Sequence, residues 1–399
     1  MKLYINNFWI EFKCTYKILR LSLKALGESI QKPKIPAPYS LFTMQTFLSD
    51  NLSVKESDFD LKEDYLNFIK QFGSHYSFKK FILEYCNHDI NILLNTYPKI
   101  LEILTKNLVV GNFYSASTLA FNIFIKNFNN FKIKFYHGGD DSIFKNAFYG
   151  GRCEIFGNPT KKFIQHFDFP GMYSLNMEGL FPIGDYTFVE DVKTIKCGFY
   201  YISFYSDLEY PVLPYKLETF LVFPRGEAKG LYWLEEINLF LKEGGKIIKI
   251  YFGYEFYDEQ LPVFKKFIDY YNTYKSFGGL HKIVGKLIIN SFYGRLGLKG
   301  TTKKMYLRPK QADYTKNLYE VLNKDYTLQS EFNIMHEQSN LIYAAIITSR
   351  ARILLYNALK SVLDLNGEVL YCDTDSIICA FDTKVQKTSV FEFKDEKTT

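Results

Sequence analysis

The sequence predicts a mixed α+β fold, in which helices and antiparallel strands both contribute to the core. Between about residues 62 and 105, apolar side chains recur at the three- and four-residue spacing of amphipathic helices. Short runs rich in Tyr, Phe and Ile dominate residues 163–260 and are separated by Gly and Pro, as is typical of strands and turns. With 399 residues, 47% of them hydrophobic, the chain can form two or three domains.

The other segments fit between these two regions. Residues 1–30 mix apolar and basic side chains and lead into the proline-rich stretch QKPKIPAP, which predicts a break. Asn, Gly and Asp cluster between about 130 and 152, where we expect a domain boundary. The segment LHKIVGKLIINSFYGRLGL predicts a helix that closes at Gly294.

The last third of the chain contains a polar segment, a helix and a hairpin. Residues 299–336 are polar, and we expect them to be irregular. A long helix is predicted over about 338–363, before the sequence Leu-Asn-Gly. Two short apolar runs then flank a pair of acids in VLYCDTDSIICAF, which predicts a hairpin.

Composition excludes some classes of protein and leaves others open. The net charge of +6 is compatible with a polyanionic partner without requiring one. None of the six cysteines forms a Cys-x-x-Cys pair, so neither a zinc site nor a redox motif is visible. No apolar stretch reaches the roughly 18 residues of a membrane span, so no membrane partner is expected. The 38 Phe and 32 Tyr fit an A+T-rich gene, which suggests an organelle, a plasmid or a virus.

Asp373 and Asp375 stand one residue apart within the apolar stretch 369–381. They could form a simple turn, which the stretch alone favours, although neither Gly nor Asn is present for a tight hairpin. A helix-loop-helix calcium site is excluded because Ile378 and Lys384 occupy the positions of its Gly and Glu. The third interpretation is a divalent metal that relieves the repulsion at the tip of a buried hairpin.

Two further patterns are each ambiguous. Lys286, Asn290 and Tyr293 fall at i, i+4 and i+7, so they share one helix face that is either solvated or binds phosphate and base. Asp168 lies between two phenylalanines, with Tyr173 five residues later. Alone, this acid fits the end of a strand or a turn, and it needs a partner if it is buried.

Taken together and in order, these motifs resemble those of the family B DNA polymerases. They are Asp168 with Tyr173, Lys-x3-Asn-Ser-x-Tyr-Gly at 286–294 and Tyr-x-Asp-Thr-Asp-Ser at 371–376. The match looks closest to the protein-primed branch, which replicates linear phage genomes and linear mitochondrial plasmids. The resemblance implies template-directed nucleotidyl transfer, with DNA template, primer and deoxynucleoside triphosphates as partners, a terminal protein as an optional primer and a mitochondrial location.

The resemblance also assigns roles to residues. Asp168 and Asp375 would bind two Mg²⁺ ions, with Asp373 adjacent to them in the catalytic centre. Lys286 would neutralise developing phosphate charge, and Tyr173 would lie under the sugar and reject a 2′-hydroxyl. The remaining nucleotide contacts are expected from Asn290, Tyr293 and Phe169.

Further matches lie upstream. Tyr85 and Asp89 match the third motif, Tyr-x3-Asp, of the family's 3′–5′ exonuclease. Gly150 and Gly151, in Phe-Tyr-Gly-Gly, are similar to the segment that joins the two active sites and contacts DNA. Ser22 and Leu23 resemble a motif that holds single-stranded DNA.

The implied organisation has three parts. Residues 1–110 would form a partial RNase H-like exonuclease domain, and 111–152 a connector. Residues 153–399 would form a polymerase palm, with an antiparallel sheet, and helical fingers. Insertions are expected at about 190–260 and 299–336.

Several departures from the family pattern qualify this expectation. The first two exonuclease motifs are missing, so we expect no proofreading. Gly171, Met172 and Ser174 replace the Ser, Leu and Pro of the first polymerase motif. Only 24 residues follow Asp375 (399 − 375), so we expect a fragment or a decayed gene without a thumb. A remnant that only binds DNA is therefore the alternative function. A reverse transcriptase or RNA polymerase is less consistent with Asp-Thr-Asp-Ser.

Overall fold

The fold is described from a computed structural model. It describes residues 2–5, 8–11, 14–19, 21–106, 108–110, 113, 115–131, 133, 140–217, 220–257, 259–298, 301–306, 318–323, 326–332 and 339–386.

The chain divides into two compact units. The first comprises Met1–Lys126 and Tyr270–Ile288, and the second comprises Asn127–Asp269 and Ile289–Thr399. These boundaries differ from the predicted ones at 110 and 152. Part of the predicted connector, and part of the predicted fingers, belong to the first unit.

The N-terminal part of the chain is mainly helical. Its elements are β1 (Lys2–Ile5), β2 (Phe8–Glu11), α1 (Thr15–Leu19), α2 (Leu23–Ser29), α3 (Met44–Ser49), β3 (Leu52–Ser53), α4 (Lys62–Phe72), β4 (His75–Tyr76), α5 (Phe78–Thr105) and α6 (Ala116–Asn127). Helices α4 and α5 confirm the prediction for residues 62–105. The strands pair as β1–β2 and β3–β4. No larger sheet occurs among the described residues of the first unit, so the predicted exonuclease-like region consists mainly of helices.

Aromatic packing holds α4 and α5 together. Phe68 and Phe72 of α4 contact Phe81 of α5 at ring-centroid distances of 5.3 and 5.2 Å. These rings are almost completely buried, and burial of aromatic area is the dominant stabilising contribution in such a core. The side chain of Ser77 caps α5 by accepting a hydrogen bond from the amide of Lys80.

The remaining elements alternate between strands and helices. They are β5 (Cys153–Ile155), β6 (Phe163–Asp168), α7 (Met172–Asn176), β7 (Phe181–Pro182), β8 (Tyr186–Val189), β9 (Gly198–Ser206), β10 (Tyr215–Leu217), β11 (Phe220–Val222), β12 (Gly226–Trp233), α8 (Leu234–Lys242), β13 (Lys246–Phe256), β14 (Gln260–Leu261), α9 (Lys265–Ser276), α10 (Gly279–Leu296), β15 (Thr301–Tyr306), β16 (Leu318–Asn323), β17 (Tyr326–Phe332), α11 (Leu341–Asp364), β18 (Glu368–Asp373) and β19 (Ser376–Phe381). Together with 3-10 helices at Tyr39–Leu41, Glu56–Asp58 and Asp140–Asn146, they confirm the mixed fold class.

Two four-stranded antiparallel sheets organise the second unit. One has the order β5-β18-β19-β6, and the other has the order β12-β9-β13-β8. Helix α11 packs against the first sheet through Leu355, Leu359 and Val362, which share a core with Ile377 and Cys379 of β19. This packing buries one face of the sheet and fixes the register of its strands.

Two local predictions are wrong. Helix α10 continues past Gly294 to Leu296, because a glycine inside a helix costs only about 1 kcal/mol. The segment predicted to be irregular contains β15, β16 and β17, which form a three-stranded sheet in the order β15-β17-β16. Strand formation there depends on the partner strands, and local polarity does not report it. Among the described helices, none is both long and apolar enough to span a bilayer.

Candidate active site

The acidic hairpin forms as predicted. Asp373 pairs with Ser376, which leaves Thr374 and Asp375 as a two-residue turn. Thr374 takes a left-handed conformation, with φ of 53°, although it has a branched side chain. Hydrogen bonds hold it there: its amide donates to the carbonyl of Arg152 at 2.8 Å, and its hydroxyl donates to Asp373 Oδ1 at 3.1 Å.

Asp168 lies beside this turn. Strand β6 pairs with β19, and the register places Asp168 opposite Ser376. The amide of Phe169 donates to the carbonyl of Asp375 at 2.7 Å, which joins the end of β6 to the turn. The predicted juxtaposition of Asp168 with Asp373 and Asp375 is therefore confirmed, although more than two hundred residues separate them in the sequence.

The electrostatics of this acidic site follow from the juxtaposition. Burial raises the pKa of Asp375, and the negative charges of Asp168 and Asp373 raise it further. The charges of Asp168 and Asp373 thus have the same sign as that of Asp375, and a divalent cation would relieve the repulsion among the three.

The ligand set also suits magnesium. Within the described residues, no three His, Cys, Asp or Glu side chains are arranged as a complete metal cluster. Mg²⁺ usually binds one or two carboxylates and completes its octahedron with water and substrate phosphates. Asp168 and Asp375 fit that mode of binding.

The tyrosines that we expect at the nucleotide come together. Tyr173 of α7 stacks on Tyr293 of α10, with ring centroids 4.0 Å apart and planes 11° from parallel. Burial raises the pKa of Tyr173, the hydrogen bond with Tyr293 lowers it, and the charge of Asp375 raises it. The pair therefore forms a stacked aromatic surface, and the charge of Asp375 reaches its Tyr173 member.

The other three predicted nucleotide contacts differ in placement. Lys286 and Asn290 are exposed on α10, and Lys286 lies in the part of that helix that belongs to the first unit. The ring of Phe169 is only 2% exposed and packs with Met172 in the core, so it does not face the site, and the nucleotide contact of Phe169 stays a prediction. The main chain of Phe169 contributes to the hairpin.

Gly171 explains one departure from the family pattern. It adopts φ of 71° and ψ of 41° at the start of α7, and its carbonyl accepts a hydrogen bond from Ser174 Oγ at 2.7 Å. A Cβ on Gly171 would also lie 2.7 Å from that Oγ atom. Glycine suits this backbone, and a serine there would be strained.

The Phe-Tyr-Gly-Gly segment supports the turn directly. A Cβ on Gly151 would lie 2.7 Å from Oγ1 of Thr374, so the close approach requires glycine. Arg352 of α11 donates to the carbonyls of Tyr149 and Gly150 at 2.9 and 3.0 Å. The predicted connector is therefore anchored between the acidic turn and a buried arginine.

Sequence reasoning missed that arginine and its partner. Arg352 and Glu236 of α8 are 4% and 1% exposed, and they pair through two hydrogen bonds of 2.6 and 2.8 Å. Arg350 pairs similarly with Glu235. A signal was available, because two arginines inside the apolar helix LIYAAIITSRARILLYNAL need acidic partners if buried.

The predicted exonuclease remnant has a different environment. The Nζ atom of Lys34 lies 3.7 Å from Asp89 Oδ2 and donates to the hydroxyl of Tyr39 at 3.0 Å. The hydroxyls of Tyr39 and Tyr85 are 2.7 Å apart. Burial lowers the pKa of Lys34, but hydrogen bonds with both tyrosines and the charge of Asp89 outweigh burial and raise it. This acid already has a cation from the protein.

Ser22 and Leu23, the predicted single-strand contacts, begin α2. The Ser22 hydroxyl accepts a hydrogen bond from the amide of Ala25 at 3.2 Å, which makes it a helix N-cap. Local helix capping accounts for this serine, and the DNA contact stays a prediction.

Comparison with known proteins identifies the family. A family model described as DNA polymerase type B, organellar and viral, matches residues 1–364. A probable DNA polymerase from Podospora anserina is 24% identical over 426 residues, which cover 94% of this chain and 35% of that protein. One from Ascobolus immersus is 29% identical over 280 residues, covering 63% and 22%. The DNA-directed DNA polymerase of Enterobacteria phage PRD1 is 28% identical over 260 residues, covering 60% and 44%.

The fold agrees with a solved polymerase. Phi29 DNA polymerase, complexed with primer-template DNA, superposes with a TM-score of 0.62 at 18% identity, covering 94% of this chain and 61% of that one. The chain spans between 22% and 44% of the length of the three relatives above. The chain belongs to the type B DNA polymerases of organelles and viruses.

Proposed function

We propose that this chain carries the nucleotidyl-transfer centre of a DNA-directed DNA polymerase. The observation that carries this proposal is the position of Asp168 opposite the acidic turn of Asp373 and Asp375. Burial and the negative charges of Asp168 and Asp373 raise the pKa of Asp375, and such crowding of carboxylates suits a divalent cation better than it suits a purely structural turn. Membership of the type B family supports the same activity.

The proposed mechanism assigns the acids to Mg²⁺ binding. When bound, two Mg²⁺ ions lower the pKa of the primer 3′-hydroxyl and neutralise charge on the triphosphate. Asp168 and Asp375 would hold the ions, and the charge of Asp373 would add to their attraction for the site. Tyr371 donates to Asp373 Oδ2 at 3.3 Å and, with Thr374, fixes the orientation of this third acid.

The remaining roles concern substrate position. Tyr173, stacked on Tyr293, provides the flat surface against which the deoxyribose packs. Lys286 and Asn290 contact the phosphates and the nascent pair. Gly150, Gly151 and Arg352 hold the turn in place, so the acids keep their geometry as the substrate binds.

The partners follow from this chemistry. They are a DNA template, a primer strand and deoxynucleoside triphosphates, with a terminal protein as primer in the protein-primed mode. The organellar and viral family description supports replication of a plasmid or organellar DNA, and we propose a mitochondrial location.

Primer extension tests the activity. Purified chain is incubated with a labelled primer-template and deoxynucleoside triphosphates, with and without Mg²⁺, and DNA binding is measured in parallel. Extension that depends on Mg²⁺ supports the proposal. DNA binding without any extension would instead identify a remnant that only binds DNA.

Tyr173→Val tests sugar selection. The ring has only two side-chain torsions, so it can exclude a 2′-hydroxyl by rigid bulk. We expect the ratio of kcat/KM for deoxy- over ribonucleotide to fall about ten- to hundredfold, the range of single-contact discrimination. Tyr257→Val, at an exposed tyrosine, is the matched control. A tyrosine that only fills space would depress both substrates together and leave the ratio unchanged.

A further inference from the structure

Arg152 is a buried arginine whose side chain has no role in the mechanism above. It is only 2% exposed and lies between the glycine pair Gly150-Gly151 and β5, the edge strand of the sheet that carries the acidic turn. Its main-chain carbonyl accepts the hydrogen bond of 2.8 Å from the amide of Thr374. Because a charged side chain is rarely buried so fully unless it is paired, the contacts of the guanidinium group indicate what it does.

The guanidinium group of Arg152 joins three segments of the second unit. Its Nη1 atom donates to the carbonyl of Pro211, between β9 and β10, at 2.8 Å. Its Nε and Nη2 atoms lie 2.8 and 2.7 Å from Oε2 of Glu154, on β5 itself. Its Cζ atom lies 4.2 Å from the ring centre of Phe223, which follows β11. Hydrogen bonds, an ion pair and a cation–π contact thus fix both the position and the plane of this group.

Strand β5 is a weak support for the turn by itself. It has only three residues and stands at the edge of its sheet, where Cys153 pairs with Asp373. A strand of that length contributes few ladder hydrogen bonds, and the two glycines before it leave the backbone unusually free. The guanidinium group and the carbonyl that meets Thr374 belong to the same residue. An anchored Arg152 side chain therefore restricts that carbonyl as well.

We propose that Arg152 is a positioning residue for the acidic turn. Its anchored side chain holds its own carbonyl where the Thr374 amide meets it, and this hydrogen bond keeps Thr374 in its left-handed conformation. Asp373 and Asp375 flank Thr374, so the direction of both carboxylates depends on that conformation. Arg152 acts through the turn, and its part in catalysis rests on the proposed nucleotidyl-transfer function.

Hydrogen exchange tests this support without metal or substrate. Arg152→Met keeps a long side chain and removes every donor. In the metal-free chain, we expect the amide of Thr374 to exchange about tenfold faster in the variant, as for a hydrogen bond of ordinary strength that opens more readily. Mass spectrometry with electron-transfer fragmentation resolves the exchange of this single amide. Unchanged exchange at Thr374 would overturn the proposal.

Metal affinity gives a second measurement. Loss of a residue that orients metal ligands from behind typically lowers metal affinity or activity about 10- to 100-fold. We expect Arg152→Met to raise the Mg²⁺ concentration at half-maximal primer extension, and at half-maximal thermal stabilisation, by about that factor, with DNA affinity unchanged. Arg152→Lys keeps the charge but lacks the planar fork, so it should fall between the wild type and Arg152→Met. A wild-type Mg²⁺ midpoint in Arg152→Met would contradict the proposal.

Arg350→Met is the matched control for the loss of a buried arginine. Arg350 pairs with Glu235 at 2.6 Å, donates to the carbonyl of Leu180 at 2.6 Å and lies 4.8 Å from the ring centre of Phe181. None of these three partners belongs to the acidic turn or to β5. The control should lose stability while Thr374 exchange and the Mg²⁺ midpoints stay at their wild-type values. Equal shifts in both methionine variants would show that Arg152 acts only through stability, and would overturn the proposal.

Glu154→Gln keeps the test decisive if Arg152→Met fails to fold. The Glu154 side chain is 33% exposed, and the substitution removes only the charge that faces Arg152. It should accelerate Thr374 exchange and raise the Mg²⁺ midpoint in the same direction as Arg152→Lys, and no change in either would overturn the proposal. A wild type that neither extends primers nor responds to Mg²⁺, but whose variants show the expected exchange, refutes only the catalytic proposal.

Discussion

The two acidic sites that the sequence predicts differ in what surrounds their carboxylates. At the hairpin, burial raises the pKa of Asp375, and the negative charges of Asp168 and Asp373 raise it further. At the predicted exonuclease remnant, Asp89 Oδ2 lies 3.7 Å from Lys34 Nζ, within a cluster that includes the hydroxyls of Tyr39 and Tyr85. One site suits an external cation, and the other contains its own.

This difference separates a site suited to an external cation from a site whose acid is already paired, without reference to motifs. A carboxylate group that must bind Mg²⁺ keeps its repulsion until the ion arrives. A lysine beside the carboxylate lowers its attraction for a divalent ion. The positive charge of the lysine already offsets the negative charge of the acid, and no coordination geometry has to be met. We therefore infer that Asp89, paired with Lys34, stabilises the fold of the first unit.

A third acidic site, at Glu236, has its buried negative charge matched by a buried arginine. Glu236 is 1% exposed, and both of its oxygens accept hydrogen bonds from Arg352. That arginine also holds the carbonyls of Tyr149 and Gly150. Full burial is tolerated only because charge and hydrogen bonds are matched.

The largest expected effect is on catalysis. Asp375→Asn should reduce primer extension by about 10³-fold or more, because the metal site supplies several kcal/mol of transition-state stabilisation. Asp89→Asn should leave primer extension unchanged. DNA affinity should stay nearly constant in both variants, since it depends mainly on basic contacts to phosphates.

Asp382→Asn is the matched control for that comparison. Asp382 follows the last strand of the same hairpin and pairs with Lys161 at 2.7 Å, away from the turn. Rates are measured by single-turnover incorporation at saturating DNA. An Asp375→Asn chain with wild-type rates would remove the distinction between the two sites.

The next effect concerns the buried ion pair of Arg352 and Glu236. Arg352→Met leaves the charge of Glu236 buried and unpaired, so we expect a loss of about 3–5 kcal/mol in the free energy of unfolding. Replacing both residues, Arg352→Met with Glu236→Leu, should recover much of that loss. Denaturant unfolding provides the measurement, and a single variant that loses less than about 1 kcal/mol would contradict the pairing.

A smaller loss in the free energy of unfolding is expected at the predicted exonuclease remnant. Lys34→Met removes a charged hydrogen bond and an ion pair that are partly exposed, so we expect about 1–3 kcal/mol. The raised pKa of Lys34 means that its contribution is present below the unfolded lysine's pKa and is lost only at strongly alkaline pH.

The double variant Lys34→Met with Asp89→Asn tests whether the charges are coupled. It should be more stable than Lys34→Met alone, because Asp89→Asn removes the negative charge that Lys34→Met leaves without a cation. Equal stability of the single and double variants would show that Lys34 stabilises the tyrosines and not Asp89.

Much of the hairpin could be predicted from sequence, because its determinants are local. Apolar runs on both sides of Asp-Thr-Asp define β18 and β19, and helix periodicity defines α5 and α11. The alternation in Phe-Asp-Phe places Phe167 and Phe169 on the buried face and Asp168 on the open one, so it also predicts that the ring of Phe169 faces away from a nucleotide.

The pairings that distinguish the sites could not be predicted in this way. Lys34 and Asp89, or Glu236 and Arg352, are distant in sequence, and periodicity does not report which charges meet. The left-handed Thr374 was also unexpected, since its conformation depends on the carbonyl of Arg152. Such partners follow from tertiary structure, which overrides the local preference.

The smallest expected effect tests the repulsion at the hairpin itself. Because the pKa of Asp375 is raised above its ordinary value near 3.8, the folded state holds this proton more tightly than the unfolded state. Stability contributed by protonated Asp375 is therefore present below that value and is lost as pH rises through the raised pKa. Asp375→Asn should remove this loss and stabilise the metal-free chain at pH 7, by less than about 1 kcal/mol for a partly exposed group. Added Mg²⁺ should stabilise the wild type by mass action and the variant much less. Thermal unfolding at pH 4 and pH 7, with Mg²⁺ or EDTA, measures each change. If Asp375→Asn destabilises the metal-free chain at pH 7, or if both proteins respond equally to Mg²⁺, the hairpin acids are compensated like Asp89, and the contrast between the two sites fails.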